Sequence, residues 1–172
     1  MKKNMLFTLA LLISFSSLLS AQSVAFGPQL GFIKSSDSDN SVMMPGAALR
    51  VNFIGLSVEG SVYYKSEEYQ SGAIKAKSYP IMLTGFVNVL PLIHGEVGVG
   101  WYNTKIDYSG SLSSHKAETS NSMGYHLGAG AELPLGSFIL AGDIRYVFLS
   151  LSSATSFKSN FYVIMVGAFF KL

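Results

Sequence analysis

The chain contains no cysteine. Disulfides and thiolate metal centres are therefore excluded, and cysteine usage says nothing about the redox compartment. Charge is also scarce. Only 13% of the 172 residues are Asp, Glu, Lys or Arg, against ~25% in an ordinary soluble domain. Hydrophobic residues make up 49% and the mean hydropathy is +0.36. Such a chain needs either a large core or a lipid surround. Beyond residue 21 there is no apolar run of the ~20 residues a spanning helix requires. A membrane-spanning form would have to use strands.

What is present begins with a targeting pattern. Lys2 and Lys3 form a basic start, Met5 to Leu19 an apolar stretch, and Leu19-Ser20-Ala21 a small-residue site before Gln22. This reads as a cleaved secretory signal over residues 1–21, leaving one domain over 22–172. Cleavage removes two of the twelve basic residues and leaves ten against ten acidic. The net charge of the precursor is thus no argument for a nucleic-acid partner.

The mature part alternates. In Met123 to Leu149, residues Met123, Tyr125, Leu127, Ala129, Ala131 and Leu133 share one face, with His126 and Glu132 on the other. After a Leu-Pro-Leu-Gly turn, Phe138, Leu140, Ile144, Tyr146 and Phe148 are opposed by Asp143 and Arg145. Period-2 alternation of this kind marks a sheet with one oily and one wet face.

The same pattern predicts eight strands: Val24 to Lys34, Met43 to Phe53, Leu56 to Lys65, Ile74 to Val89, Ile93 to Tyr108, Thr119 to Leu133, Phe138 to Ser150 and Phe157 to Leu172. Three connections are tight: Ile54-Gly55, Leu90-Pro91-Leu92 and Pro134 to Ser137. Four are longer and polar: Ser35 to Ser41, Ser66 to Gly72, Ser109 to Glu118 and Leu151 to Ser156. Short turns at one end and long loops at the other are the arrangement of an outer-membrane barrel, with the loops extracellular. The expected fold class is all-β, an eight-stranded antiparallel up-and-down transmembrane barrel. The fold-level alternative is a soluble lipocalin-like barrel, with the faces reversed.

On the oily face, Tyr64, Tyr79, Trp101, Tyr125, Tyr146 and Tyr162 fall at the loop end of their strands. They form a predicted interfacial girdle, where amphipathic rings settle at headgroup level. Phe53, Phe138, Phe170 and Leu172 mark the other boundary. The wet face carries Arg50, Glu59, Glu96, Glu132, Asp143 and Arg145 among small residues. These are expected to form a charge network in a filled lumen. Arg50 and Glu59 are the first candidate pair, being close to the Ile54-Gly55 turn on neighbouring strands.

The stretch Gly95-Glu96-Val97-Gly98-Val99-Gly100-Trp101, the run Leu127 to Leu133 and the terminal strand Val163 to Leu172 resemble the small outer-membrane β-barrel family. That group includes outer-membrane protein X-like barrels and the transmembrane domain of outer-membrane protein A. The resemblance implies a bacterial outer-membrane location and contact with membrane lipid and lipopolysaccharide. It also implies biogenesis by the barrel-assembly machinery, which reads a terminal aromatic residue in this family. Here the end is Phe169-Phe170-Lys171-Leu172, so Leu172 departs from the pattern.

Some small barrels of this kind deacylate or acylate lipid A. The deacylases resemble one another in a His-x-Ser-Asn stretch. Here His126 is followed by Leu-Gly-Ala and His94 by Gly-Glu, with no serine in place. Asp37, Asp39 and Asn40 resemble the start of a calcium loop, but its glycine and glutamate positions hold Val42 and Ala48. Glu67-Glu68, Lys75 and Lys77 read as solvated loop charges. No catalytic, cofactor or metal residue is assigned. The expected role is non-enzymatic, structural or by surface contacts through Ser109 to Ser122, in a monomer. The alternatives are a narrow porin-like or small-ligand transport barrel and a lipid A-modifying enzyme.

Overall fold

The computed structural model describes residues 23–35, 41–69, 74–108, 118–150 and 160–172. Nine strand segments occur there: β1 (Ser23–Ser35), β2 (Ser41–Asn52), β3 (Leu56–Tyr63), β4 (Lys65–Tyr69), β5 (Ile74–Leu90), β6 (Ile93–Tyr108), β7 (Glu118–Leu135), β8 (Phe138–Ser150) and β9 (Phe161–Lys171). Each pairs antiparallel with its sequence neighbour along the sheet, β9 pairs with β1, and the edge closes through β3 and β4 on β5. The result is a closed barrel of eight staves. The residues of the signal segment, 1–21, lie outside the described residues.

The third stave has two segments. Its register on β5 is the same on either side of Tyr64, Val62↔Ile81 before and Lys65↔Ser78 after. Pro80 lies opposite the gap and has no N–H to give the ladder. Tyr64 stays attached through its own N–H, which donates to the Pro45 carbonyl at 2.9 Å. Pro28 does the same to β1 and β9, whose pairing stops at Phe26↔Phe170 and resumes at Gln29↔Gly167.

Four expectations about boundaries need correction. Residues Ser66 to Tyr69, expected as loop, are strand, because Ile74 to Lys77 offers them a paired edge. Glu118, expected as the end of a loop, likewise belongs to β7, paired with Ile106. Pro134 and Leu135 pair with Ile139 and Phe138, so the turn is only Gly136-Ser137. That strand can hold Pro134 because β6 has already ended: its last pair with β7 is Ile93↔Ala131. The Glu132 N–H then donates to the Leu92 carbonyl, so no ladder bond is lost at Pro134. The last strand starts at Phe161, and residues 157–159 are outside the described set.

Gly55 and Gly136 carry positive φ, 75° and 64°, at two of the tight turns. The alternation is realised in the barrel. Leu127, Leu133, Leu140 and Ile144 face outward and are exposed, while Ala141, Asp143, Arg145 and Val147 face inward and are buried. The faces are therefore oily outside and charged inside, which removes the lipocalin-like alternative.

Close approach between neighbouring strands requires glycine at Gly128. A Cβ there would run into the Ile144 carbonyl and the Glu96 carboxylate, whereas one at Gly60 meets nothing within 4 Å. Gly128→Val is therefore expected to lose folded barrel by about 1–3 kcal/mol or more. Gly60→Ala should be neutral. The check is the fraction of heat-modifiable folded band on a gel after refolding into detergent.

Candidate functional site

The sequence places charge on the inward face of β2, β3, β6, β7 and β8, and closure of a narrow barrel brings these charges together. Arg50 and Glu59 are direct partners in the β2–β3 register. Arg50 Nη2 lies 2.6 Å from Glu59 Oε2, and Nε donates to the same oxygen at 3.0 Å. Its Nη1 pairs with Glu132. Glu59 also accepts from Gln29 Nε2 at 3.2 Å, and the Tyr63 hydroxyl donates to Gln29 Oε1.

Arg145 is the second hub. Its Nε lies 3.1 Å from both Glu96 oxygens and Nη2 is 3.0 Å from Oε2. Nη2 also stands 3.5 Å from Glu59 and 3.8 Å from Asp143. Those Nη2 contacts satisfy charge without an aligned hydrogen bond. Asp143 is itself bonded to His94 Nε2 at 2.8 Å. All six predicted network residues thus fall in one connected group, with His94 and Gln29 added to it.

Two features of this layer were not anticipated. Phe86 and Phe169 are inward, and the Arg50 guanidinium lies over both rings at 4.2 and 4.6 Å. Arg145 stands 6.0 Å from the Phe86 ring on its own account. Cation–π contact supplements the carboxylates around these buried guanidiniums. The second is a pair of apolar clusters. Toward the loops lie Met44, Tyr63, Met82, Tyr102, Val147 and Met165, and level with Arg50 and Glu132 lie Ala25, Ala48, Ile139, Ala141 and Phe169. The available signal was parity: an aromatic or methionine in step with Thr84, Glu59 or Asp143 must point inward.

His94, Glu96 and Asp143 bring potential metal-ligand atoms within 4.8 Å of one another. The Arg145 guanidinium already answers both carboxylates, so the geometry is that of an ion-pair cluster. His126, the other histidine considered for chemistry, bonds Thr84 Oγ1 through Nε2 at 3.0 Å. Among the described residues its Nδ1 has no partner, and both histidines are buried in the lumen. A base without an orienting group and without access to lipid is poorly arranged to activate a nucleophile.

The six predicted girdle residues all face outward. Tyr64 and Tyr79 are 5.5 Å apart, Tyr146 and Tyr162 4.7 Å, and Tyr125 stacks on Phe148 at 5.0 Å. At the other rim, Phe170 contacts Phe138 at 4.6 Å and Phe26 at 5.9 Å. Of the loop proposed for partner contact, residues 109–117 lie outside the described residues, as do Asp37, Asp39 and Asn40.

A family model, described as the outer membrane protein beta-barrel domain, matches residues 7–170. The chain belongs to this family. It is an integral β-barrel protein of the bacterial outer membrane, with its oily face in contact with lipid. Similar solved structures include a major outer membrane protein from Thermus thermophilus, at 13% identity and TM-score 0.63, covering 88% of this chain and all of the other. Neisserial surface protein A is similar at 14% identity and TM-score 0.57, covering 89% and 98%. The attachment invasion locus protein of Yersinia pestis, in complex with a heparin analogue, is similar at 17% and 0.56, covering 88% and 97%. At these identities the likeness concerns the fold. No curated protein sequence matches.

Removing one partner of a buried ion pair costs more than removing both, because the survivor is left unpaired. Arg145→Met alone should destabilise the barrel by about 3–5 kcal/mol. Adding Glu96→Gln should recover part of that loss, giving a coupling of about 1 kcal/mol or more. Urea unfolding of the four proteins in lipid vesicles measures it.

Proposed function

We propose that this outer-membrane barrel is a sealed, non-enzymatic membrane wall that acts through its extracellular strand ends and loops. The observation that carries the reading is the filled lumen. The ion-pair group of Arg50 and Arg145 is packed on its loop side by Met44, Met82 and Met165 and at its own level by Ala25, Ala141 and Phe169, which leaves no room for a wide aqueous path. Among the described residues His126 meets Thr84 and His94 meets Asp143, both inside the lumen and away from lipid, which supports the non-enzymatic part.

Residues 1–21 are read as a signal removed on export, with the mature barrel starting at Gln22. The barrel-assembly machinery would then take up the chain through β9, where Phe170 is outward and Lys171 ends the strand. The six girdle aromatics sit at the outer headgroups, and the protein works as a monomer with no nucleic-acid partner. The lumen charges serve packing and strand register.

Purified protein in planar lipid bilayers should give no discrete openings. Reproducible openings altered by Glu96→Gln or Arg145→Met would establish the narrow-channel alternative instead. Lipid A mass spectra from cells with and without the protein should be identical, and a lost or added acyl chain would establish an enzyme.

A further inference from the structure

The sequence has seven methionines, two of them within residues 1–21, which leaves five. The barrel sorts these five into two kinds. Met44, Met82 and Met165 point into the lumen with exposures of 0, 1 and 0%. Met43 and Met123 point outward and are 56 and 50% exposed. Met43 and Met44 are sequence neighbours, so strand parity alone separates them. The lumen thioethers are tightly held. A Cβ added at Gly31 would lie 2.9 Å from the Met44 methyl and 3.0 Å from the Met165 sulfur. Arg145 Nη1 donates to the Met82 sulfur at 3.9 Å, which engages a lone pair that an oxidant would need.

The outward pair stands at the loop-end rim beside aromatic rings. Met123 is directly opposite Trp101 in the β6–β7 register, and Met43 is opposite Phe32 in β1–β2. Opposite side chains on one face have Cβ atoms about 5 Å apart, within reach of a sulfur–ring contact. The other register partner of Trp101 is Ile81, a saturated hydrocarbon. Met43 is two residues loopward of Pro45, whose carbonyl receives the N–H of the girdle residue Tyr64. Both outward thioethers therefore sit at or beyond the girdle, where water-borne solutes arrive.

We propose that Met43 and Met123 are sacrificial oxidation sites of the outer rim, and that Met123 spares Trp101 from hypochlorous acid. The sulfur lone pair takes the electrophilic chlorine and releases hydroxide. Water then displaces chloride at sulfur and loses two protons, one of which neutralises the hydroxide. In sum, thioether and hypochlorous acid give sulfoxide, chloride and one proton. Sulfur loses two electrons and chlorine gains them. A thioether reacts faster than an indole, so oxidant reaching this rung is consumed at Met123 before Trp101. The polar sulfoxide is solvated at headgroup level, whereas the same change at Met44 or Met165 would disrupt the packed lumen. The proposal rests on the girdle lying at the outer headgroups.

The test treats the purified full-length mature protein, folded in phospholipid vesicles, with rising doses of hypochlorous acid and maps its peptides by mass spectrometry. Met43 and Met123 should gain one oxygen first. Met44, Met82 and Met165 should stay intact for as long as the heat-modifiable folded band persists. In urea all five should oxidise together. Trp101 should be lost at a lower dose in M123L than in the unaltered protein, while M43L should leave that dose unchanged. Equal loss of Trp101 in M123L and the unaltered protein would overturn the shielding. Oxidation of Met44 as fast as Met43 in folded protein would overturn the site assignment, and this comparison needs no variant. Sparing of Met43 and Met123 at doses that convert free methionine would also overturn it, by placing the rim below the headgroups. Equal oxidation of all five with no folded band would count against the barrel itself, whereas the same result with the band intact counts against this proposal alone.

Discussion

Every backbone N–H and C=O inside lipid must find a partner within the protein, since an unpaired one costs several kcal/mol. That constraint closes the sheet, and the rest of the structure follows from closure. The first stave must pair with the last, as β1 does with β9, and the third must run on through β4 to cover the tall edge of β5. Interruptions at Pro28 and opposite Pro80 leave the register unchanged, and among the described residues β5–β6 shifts register between Asn88 and Leu90, next to its turn.

Closure at eight staves also makes the interior narrow, just wide enough for side chains. Glycine is then needed where a neighbour crosses, as at Gly128 under Glu96 and Arg145. Any charge placed inside is dry and must be answered inside. Arg50 and Arg145 answer Glu59, Glu96, Glu132 and Asp143, with Phe86 against both guanidiniums. Such a layer is weak evidence for stability in itself. Its arrangement does fix which strand stands beside which, because a slip of one residue would turn these charges into lipid.

The parts of the molecule that lie in lipid were legible from residue order alone. There the two faces see opposite environments, so parity sorted Tyr125 from His126 and Ile144 from Arg145, and adjacency to one turn matched Arg50 with Glu59. Legibility ended where lipid ends. Ser66 to Tyr69 and Glu118 are polar positions beyond the aromatic girdle where no apolar alternation marks a strand, yet an available strand edge pairs them. Pro134 read as a turn because its missing N–H usually breaks a ladder, but β6 stops before it. The apolar clusters of the lumen were hidden for a different reason. Met44, Met82, Phe86 and Met165 share the wet parity, and only three-dimensional closure shows that half of that face is dry.

The outer wall faces lipid and carries aromatic rings near its loop end. The chain has a single tryptophan, Trp101, on that wall. Its fluorescence in vesicles of lipids brominated at different depths tests both statements at once. Strong quenching by bromine near the headgroup, weaker quenching near the chain ends and little quenching by aqueous iodide is the predicted result. Quenching by iodide with none by any brominated lipid would contradict it.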